Sequence, residues 1–188
     1  MTQFNLQLTD SLSLRTWNQE TAPSLFALID SNREHLGRWL PWVPLVTTIA
    51  DSEKFINDSL ASWEQQRSLE LGIWKGTELV GCIGLHELDR LHNKTSIGYW
   101  LGAEFQGQGF MTQAVQALVE YCFMERQFHR VEIRAAVDNE ASRAIPERLG
   151  FTQEGILRDA ELVAGRYLDT VVYSKLNPRS EVELPIGA

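Results

Sequence analysis

Ile97-Gly98-Tyr99-Trp100-Leu101, and shortly after it Gln106-Gly107-Gln108-Gly109-Phe110-Met111-Thr112, form the stretch on which the fold turns. The first segment, from Thr95 to Gly102, has the aromatic and β-branched content of a strand. The second is a glycine-dense turn that passes at once into a helix, with Met111, Val115, Leu118, Val119 and Cys122 on one face. A helix opening behind such a turn presents backbone N–H groups with no internal partner. Its dipole adds partial positive charge, so a pyrophosphate docks there without lysine or arginine. Gly107 and Gly109 let the backbone approach phosphate oxygens closely, although the same pair also suits a tight strand-to-helix connection. The chain lacks the Gly-Lys-Ser/Thr ending of a nucleoside-triphosphate loop and the three-glycine dinucleotide fingerprint, which removes both of those readings.

Upstream, Leu6 and Leu8, then Leu12 and Leu14, alternate with polar residues, so a first strand is expected in two pieces around Thr9-Asp10-Ser11. Thr21 and Pro23 open a helix carrying Leu25, Leu28 and Ile29. The segment Arg38-Trp39-Leu40-Pro41-Trp42-Val43-Pro44 holds too many prolines for a long regular element and reads as a loop. Asp51 is expected to cap a second helix with Phe55, Ile56, Leu60 and Trp63 at helical spacing. Residues 69–74 and 79–85 form a hairpin around Lys75-Gly76-Thr77. Downstream, 131–137 is a strand and 139–149 a short helix stopped by Gly150. Two last strands are expected at 151–158 and 166–176. The result is one α/β (α+β) domain over residues 1–176, a mixed sheet flanked by helices, followed by a loosely held tail at 177–188.

A chain of 188 residues with 44% hydrophobic and 22% charged residues fits one globular core. Its net charge of −8 comes without a basic stripe, so direct nucleic-acid binding is not expected. That charge serves solubility or draws a cationic amine. Cys82 and Cys122 lie in apolar surroundings without metal-ligand spacing and read as buried hydrophobes, with no metal site expected. The first residues lack a basic, then apolar, leader pattern, and no run approaches the ~18 apolar residues of a membrane span, so a cytoplasmic location away from membranes is expected.

Tyr99-Trp100-Leu101, the segment Gln106 to Thr112, and then Asn139, Ser142, Glu147, Gly150 and Phe151 resemble the acetyl-coenzyme A motifs of the GNAT acetyltransferase family. The Trp39-Leu40-Pro41-Trp42 loop, Gly98 to Leu101 and the ending Asp169-Thr170-Val171-Val172-Tyr173 resemble its RimJ/RimL branch, which acetylates N-terminal α-amino groups of ribosomal proteins. The resemblance covers residues 5 to 176. It implies the GNAT fold, a mostly antiparallel sheet of about seven strands with about four helices. It implies acetyl-CoA as donor, held by Trp100, Leu101, Gln106, Gly107, Gln108, Gly109, Phe110, Met111, Thr112, Asn139 and Ser142. A ribosomal protein N-terminus is implied as acceptor, and a homodimer as the assembly. Acceptor specificity is expected from the segments around 37–50 and 159–168, with Arg38, Trp39 and Trp42 as substrate-binding residues.

The pattern departs from the family at Met111, which leaves only a backbone contact there, and at Pro146. Many relatives carry at the latter position a tyrosine that protonates the departing thiolate; proline cannot, and its missing N–H and clash with the Ser142 carbonyl predict a helix that bends or starts late. The resemblance then makes Ser142 the substitute acid. Backbone N–H groups near Tyr99, Trp100 and Leu101 are expected to stabilise the oxyanion. Glu87 or His86, neighbours near a strand end, is expected to relay the amine proton; only one of them faces the site. Two alternatives remain: acetylation of a small-molecule amine such as a polyamine, amino-acid conjugate or antibiotic, and a non-catalytic acetyl-CoA-binding module for which Pro146 argues.

Overall fold

The computed structural model describes residues 4–178; residues 179–188 of the expected tail lie outside that range. Among the described residues the strands are β1 (Asn5–Gln7), β2 (Leu12–Thr16), β3 (Leu69–Lys75), β4 (Glu78–Asp89), β5 (Lys94–Leu101), β6 (Arg130–Ala136), β7 (Thr152–Val163) and β8 (Arg166–Leu176). The helices are α1 (Ala22–Ser31), α2 (Arg33–Leu36), α3 (Ile49–Glu64), α4 (Phe110–Met124) and α5 (Glu140–Arg148). One sheet runs β1-β2-β3-β4-β5-β6-β8-β7. Only the β5–β6 pair is parallel. This is the GNAT fold, with one strand more than expected: Asn5–Gln7 folds back on Leu12–Thr16 as a separate strand instead of continuing it. The Thr9 hydroxyl holds that turn, accepting the Leu12 N–H at 3.1 Å.

Strand alternation sorts the sheet into two faces. Leu69, Leu71, Ile73, Ile83, Leu85, Ile97 and Ile133 share one face by register and are buried. The inward residues of α4, Met111, Val115, Leu118, Val119 and Cys122, are buried in the same core. Tyr99 and Tyr173, also on this face, bond to α5, so α4 and α5 lie together on it. The opposite face meets α1 and α3: a Cβ built on Gly102 would touch Leu28, and one on Gly72 would touch Trp17, which stacks edge-on against Phe55.

Three local expectations need correction. The second helix starts at Ile49, and Thr48 is its N-cap; Asp51 lies one turn in and reaches back to accept the N–H groups of Thr47 and Thr48 at 2.9 and 2.8 Å. Residues 159–168 are not a long loop. The β7–β8 ladder runs through a bulge at Asp159 (φ 49°) to a tight turn at Ala164 and Gly165 (φ 47° and 76°), a left-handed pair suited to a two-residue hairpin. The helix holding Pro146 does not start late, because Asn139 caps it by accepting the Ser142 N–H at 3.2 Å.

Candidate active site

The parallel β5–β6 ladder pairs Lys94 with Arg130 through Ile97 with Ile133 and stops there. Both strands continue, β5 to Leu101 and β6 to Ala136, so the sheet opens into a gap beginning at Gly98. On its other edge β5 stays paired to β4 as far as Gly81 and Leu101, and the Gly102 N–H donates to Val80. Antiparallel alternation then aims the N–H groups of Tyr99 and Leu101 away from β4, toward the gap.

At the end of β5 the chain makes the glycine turn. Gly107 and Gly109 have φ of 70° and 79°, and Gly109 is the N-cap of α4. A Cβ at Gly107 would meet nothing within 4 Å, and one at Gly109 only Gln113 at 3.7 Å, so backbone handedness, not crowding, requires glycine. The first N–H groups of α4 have no partner within the helix, as a site for a pyrophosphate requires. Gln108 bonds back to the Glu104 carbonyl at 3.0 Å, and Gln106 to the His35 ring at 3.0 Å. Two cations also come in: Arg148 donates to the Thr112 hydroxyl at 2.9 Å, and Lys75 lies over the Phe110 ring at 5.6 Å. The Met111 side chain is buried in the core.

On the α4–α5 face of the gap, Ser142 meets Tyr99. The Tyr99 hydroxyl donates to the Ser142 carbonyl at 3.0 Å, and the Ser142 hydroxyl donates to the Tyr99 oxygen at 3.4 Å. Pro146 explains the first bond: four residues on from Ser142, it has no N–H to offer that carbonyl, and tyrosine takes the place of the missing helical donor. Burial, the largest cause, pushes the Tyr99 phenol up, so it remains a proton donor through the neutral range. Tyr173 anchors the next turn of α5, donating to Glu147 at 2.6 Å and accepting from Arg143 at 3.1 Å.

The opposite face carries His86, whose register partner is Ser96, two residues before Gly98. A Cβ on Gly98 would lie 3.0 Å from His86 Nε2, so the ring rests over the residue where the gap begins. Glu87 follows at φ 52°, exposed, where the β4–β5 register slips between His86 and Asp89. Farther along this face Trp42 lies 6.0 Å from Trp100, ring to ring, and Trp39 packs against Ala136, Val163 and Leu168. Trp42 thus meets the end of β5 and Trp39 the end of β6 and the β7–β8 hairpin. Arg38 pairs instead with Glu34 at 2.7 Å, and both side chains are exposed. The sequence reading missed Arg148, His35 and the Tyr99–Ser142 pairing; each comes from an element distant in the chain, and periodicity carries no signal for such meetings.

Residues 11–152 match the family described as an acetyltransferase (GNAT) domain. YdaF of Bacillus subtilis (strain 168), provisionally named a ribosomal N-acetyltransferase, is 38% identical over 182 residues, 96% of this chain and 99% of its own. Among solved structures, RimL, the ribosomal L7/L12 alpha-N-protein acetyltransferase in complex with coenzyme A, has a TM-score of 0.89 at 29% identity, covering 92% of this chain and 98% of its own. The microcin C7 self-immunity acetyltransferase MccE, in complex with acetyl-CoA and AMP, has a TM-score of 0.86 at 33% identity, covering 90% and 94%.

Proposed function

The chain belongs to the GNAT acetyltransferase family and uses acetyl-CoA as its donor, and from that premise we propose that its acceptor is the N-terminal α-amino group of a protein, ribosomal proteins foremost. The first turn of α4, behind Gly107 and Gly109, holds the pyrophosphate on backbone N–H groups, framed by Gln106, Gln108, Phe110, Met111 and Thr112. Arg148 and Lys75 add positive charge beside it. Trp100 and Leu101 on one side of the gap, and Asn139 and Ser142 on the other, flank the arm that carries the acetyl group.

The N–H of Tyr99 or Leu101 stabilises the negative charge that develops on the thioester oxygen; losing such a donor typically costs about 10²–10³ in rate. Ser142 gives a proton to the departing sulfur. His86 takes the proton that the acceptor ammonium must lose before its nitrogen can attack, and Glu87 is the second candidate for that role. The ammonium loses one proton before attack and the new amide nitrogen loses another; the sulfur regains one, so each turnover releases one proton.

An α-ammonium titrates near 8 and a lysine or polyamine ammonium near 10.4, so the first needs far less help at neutral pH. An imidazole is a modest base matched to the easier case. The half-exposed His86 ring over Gly98, at the mouth of the gap, is the observation that carries this reading. A cytoplasmic location follows from such an acceptor; no helix of the described residues is long and apolar enough to cross a membrane. The test is a peptide bearing both a free α-amine and a lysine, with the product mapped by mass spectrometry. Acetyl on the α-nitrogen is expected, and acetyl on lysine alone overturns the proposal.

A small-molecule amine with a flat group is the second reading. It is favoured by the Trp42–Trp100 wall and by Trp39 closing down on the hairpin, which narrow the mouth. Acetylation of such amines, with peptides ignored, would establish it.

A further inference from the structure

Glu70 is a part-buried acid that the acetyl-transfer reading leaves unused. It lies on β3 with its side chain 15% exposed, against 48% for His86, and its Oε1 is 3.2 Å from His86 Nε2. Its other oxygen accepts from the Cys82 thiol at 3.6 Å. Two glycines make room for the pair. A Cβ at Gly84 would fall 2.3 Å from Glu70 Oε2, and one at Gly98 3.0 Å from His86 Nε2. These glycines face each other across β4 and β5, and Gly98 is the residue after the last β5–β6 register partner. A carboxylate taken out of water is expensive unless a hydrogen-bonding partner compensates it. Here the nearest compensating group is the His86 imidazole, 3.2 Å away, whose side chain is half-exposed. The arrangement sets a carboxylate against the Nε2 edge of a half-exposed histidine that rests over Gly98.

We propose that Glu70 is a positioning residue of the acetyl transfer, accepting the His86 Nε2–H so that Nδ1 carries the lone pair, and steadying the imidazolium that forms when Nδ1 takes the acceptor's proton. The inference rests on the reading of His86 as the proton acceptor. In the step itself an N–H bond of the ammonium breaks and the Nδ1–H bond forms. The electron pair stays on the amine nitrogen for attack on the thioester carbon, and Nδ1 later returns the proton to water. The carboxylate keeps the charge it started with. Fixing one ring nitrogen with an acidic partner is what decides which tautomer a histidine presents.

Other groups near His86 do not substitute for Glu70. On β4 the Cys82 thiol is pushed well up, by burial first, and stays neutral. On β5 the neighbours are Ser96 and Gly98. Beyond them on β6, Glu132 is held by Arg130 and Arg134 at 2.9 and 3.2 Å. Burial likewise pushes the Glu70 carboxyl up, with the charge of His86 pulling it back, which ties the acid's ionisation to its partner.

The experiment is the pH dependence of turnover, at saturating acetyl-CoA with an α-amino peptide, for the full chain and for Glu70→Gln, His86→Ala and the double variant. Glu70→Gln should lower kcat about tenfold and move the acid-side midpoint of the profile to lower pH, because a neutral neighbour supports the imidazolium less. The KM for acetyl-CoA should not change. The double variant should be no slower than His86→Ala, because Glu70 acts only through His86. A Glu70→Gln loss with an unmoved midpoint, or one that adds fully to that of His86→Ala, overturns the role of Glu70 while leaving His86 in place. Full activity in His86→Ala overturns the relay and this inference together. If Glu70→Gln does not fold, Glu70→Asp carries the test: a retracted carboxylate should shift the midpoint in the same direction, and an unmoved midpoint overturns the proposal.

Discussion

Removing the hydroxyl of Tyr99 should destabilise the fold by an amount that depends on Pro146. In Tyr99→Phe the Ser142 carbonyl loses its donor at 3.0 Å, and Pro146 has no N–H with which to replace it. An abandoned buried acceptor costs about 1–3 kcal/mol, and the lower half of that range applies because the pair is part-buried. Pro146→Ala restores a donor at the helical position four residues on, so the same tyrosine change in that background should cost less than about 0.5 kcal/mol. The double-mutant cycle therefore predicts a coupling of about 1 kcal/mol between residues that do not hydrogen-bond to each other. Urea unfolding followed by tryptophan fluorescence reads all four proteins; in a chain of this size the difference corresponds to about 2–4 °C in Tm. Equal costs of Tyr99→Phe in both backgrounds would refute the reasoning, as would a single variant as stable as the parent.

Ser142→Ala should lower kcat by about 10²-fold or more if its hydroxyl protonates the sulfur, with acetyl-CoA affinity by calorimetry nearly unchanged; unaltered turnover removes Ser142 from the chemistry. Gly109→Val forces a β-branched residue to a φ of 79° and should abolish acetyl-CoA binding while the rest of the sheet stays folded, as far-UV circular dichroism would report. Arg130, through its hydrogen bonds first, lowers the Glu154 carboxyl to about 2. The stability from that pair is present above the ordinary glutamate range and is lost as pH falls toward 2, so acid unfolding of Arg130→Met should lose this part of its pH dependence. An identical pH dependence in both proteins would contradict it. Trp42→Ala should raise the acceptor KM more than it changes the acetyl-CoA KM, since the ring packs against Trp100 at the proposed mouth of the gap.

The strand–turn–helix core of the site was legible because Ile97 to Thr112 is contiguous: its strand, its two left-handed glycines and its amphipathic helix each follow from local chemistry. Gly150 stopping α5 and Gly76 turning the β3–β4 hairpin were legible for the same reason, and both have positive φ. The extent of β7 was not. Asp159-Ala160-Glu161 reads as polar loop, yet a bulge lets the ladder pass through it. Glu70 left a faint trace, an acid alternating with Leu69 and Leu71 in an otherwise apolar run, which places it on the far face from the core without saying what it meets there. The pairing of Tyr99 with Ser142 left none, because it depends on which helix crosses the open end of the sheet.

The most direct test of the account is free-thiol release from acetyl-CoA against peptides with free N-termini, the same peptides with blocked N-termini, polyamines and amino-acid conjugates. Thiol release with the free-N-terminal peptides, lost on blocking the α-amine, is the predicted result. Release with the small amines alone would contradict the proposed acceptor, and no release with any amine from a protein that binds acetyl-CoA tightly would contradict the catalytic roles assigned to Ser142 and His86.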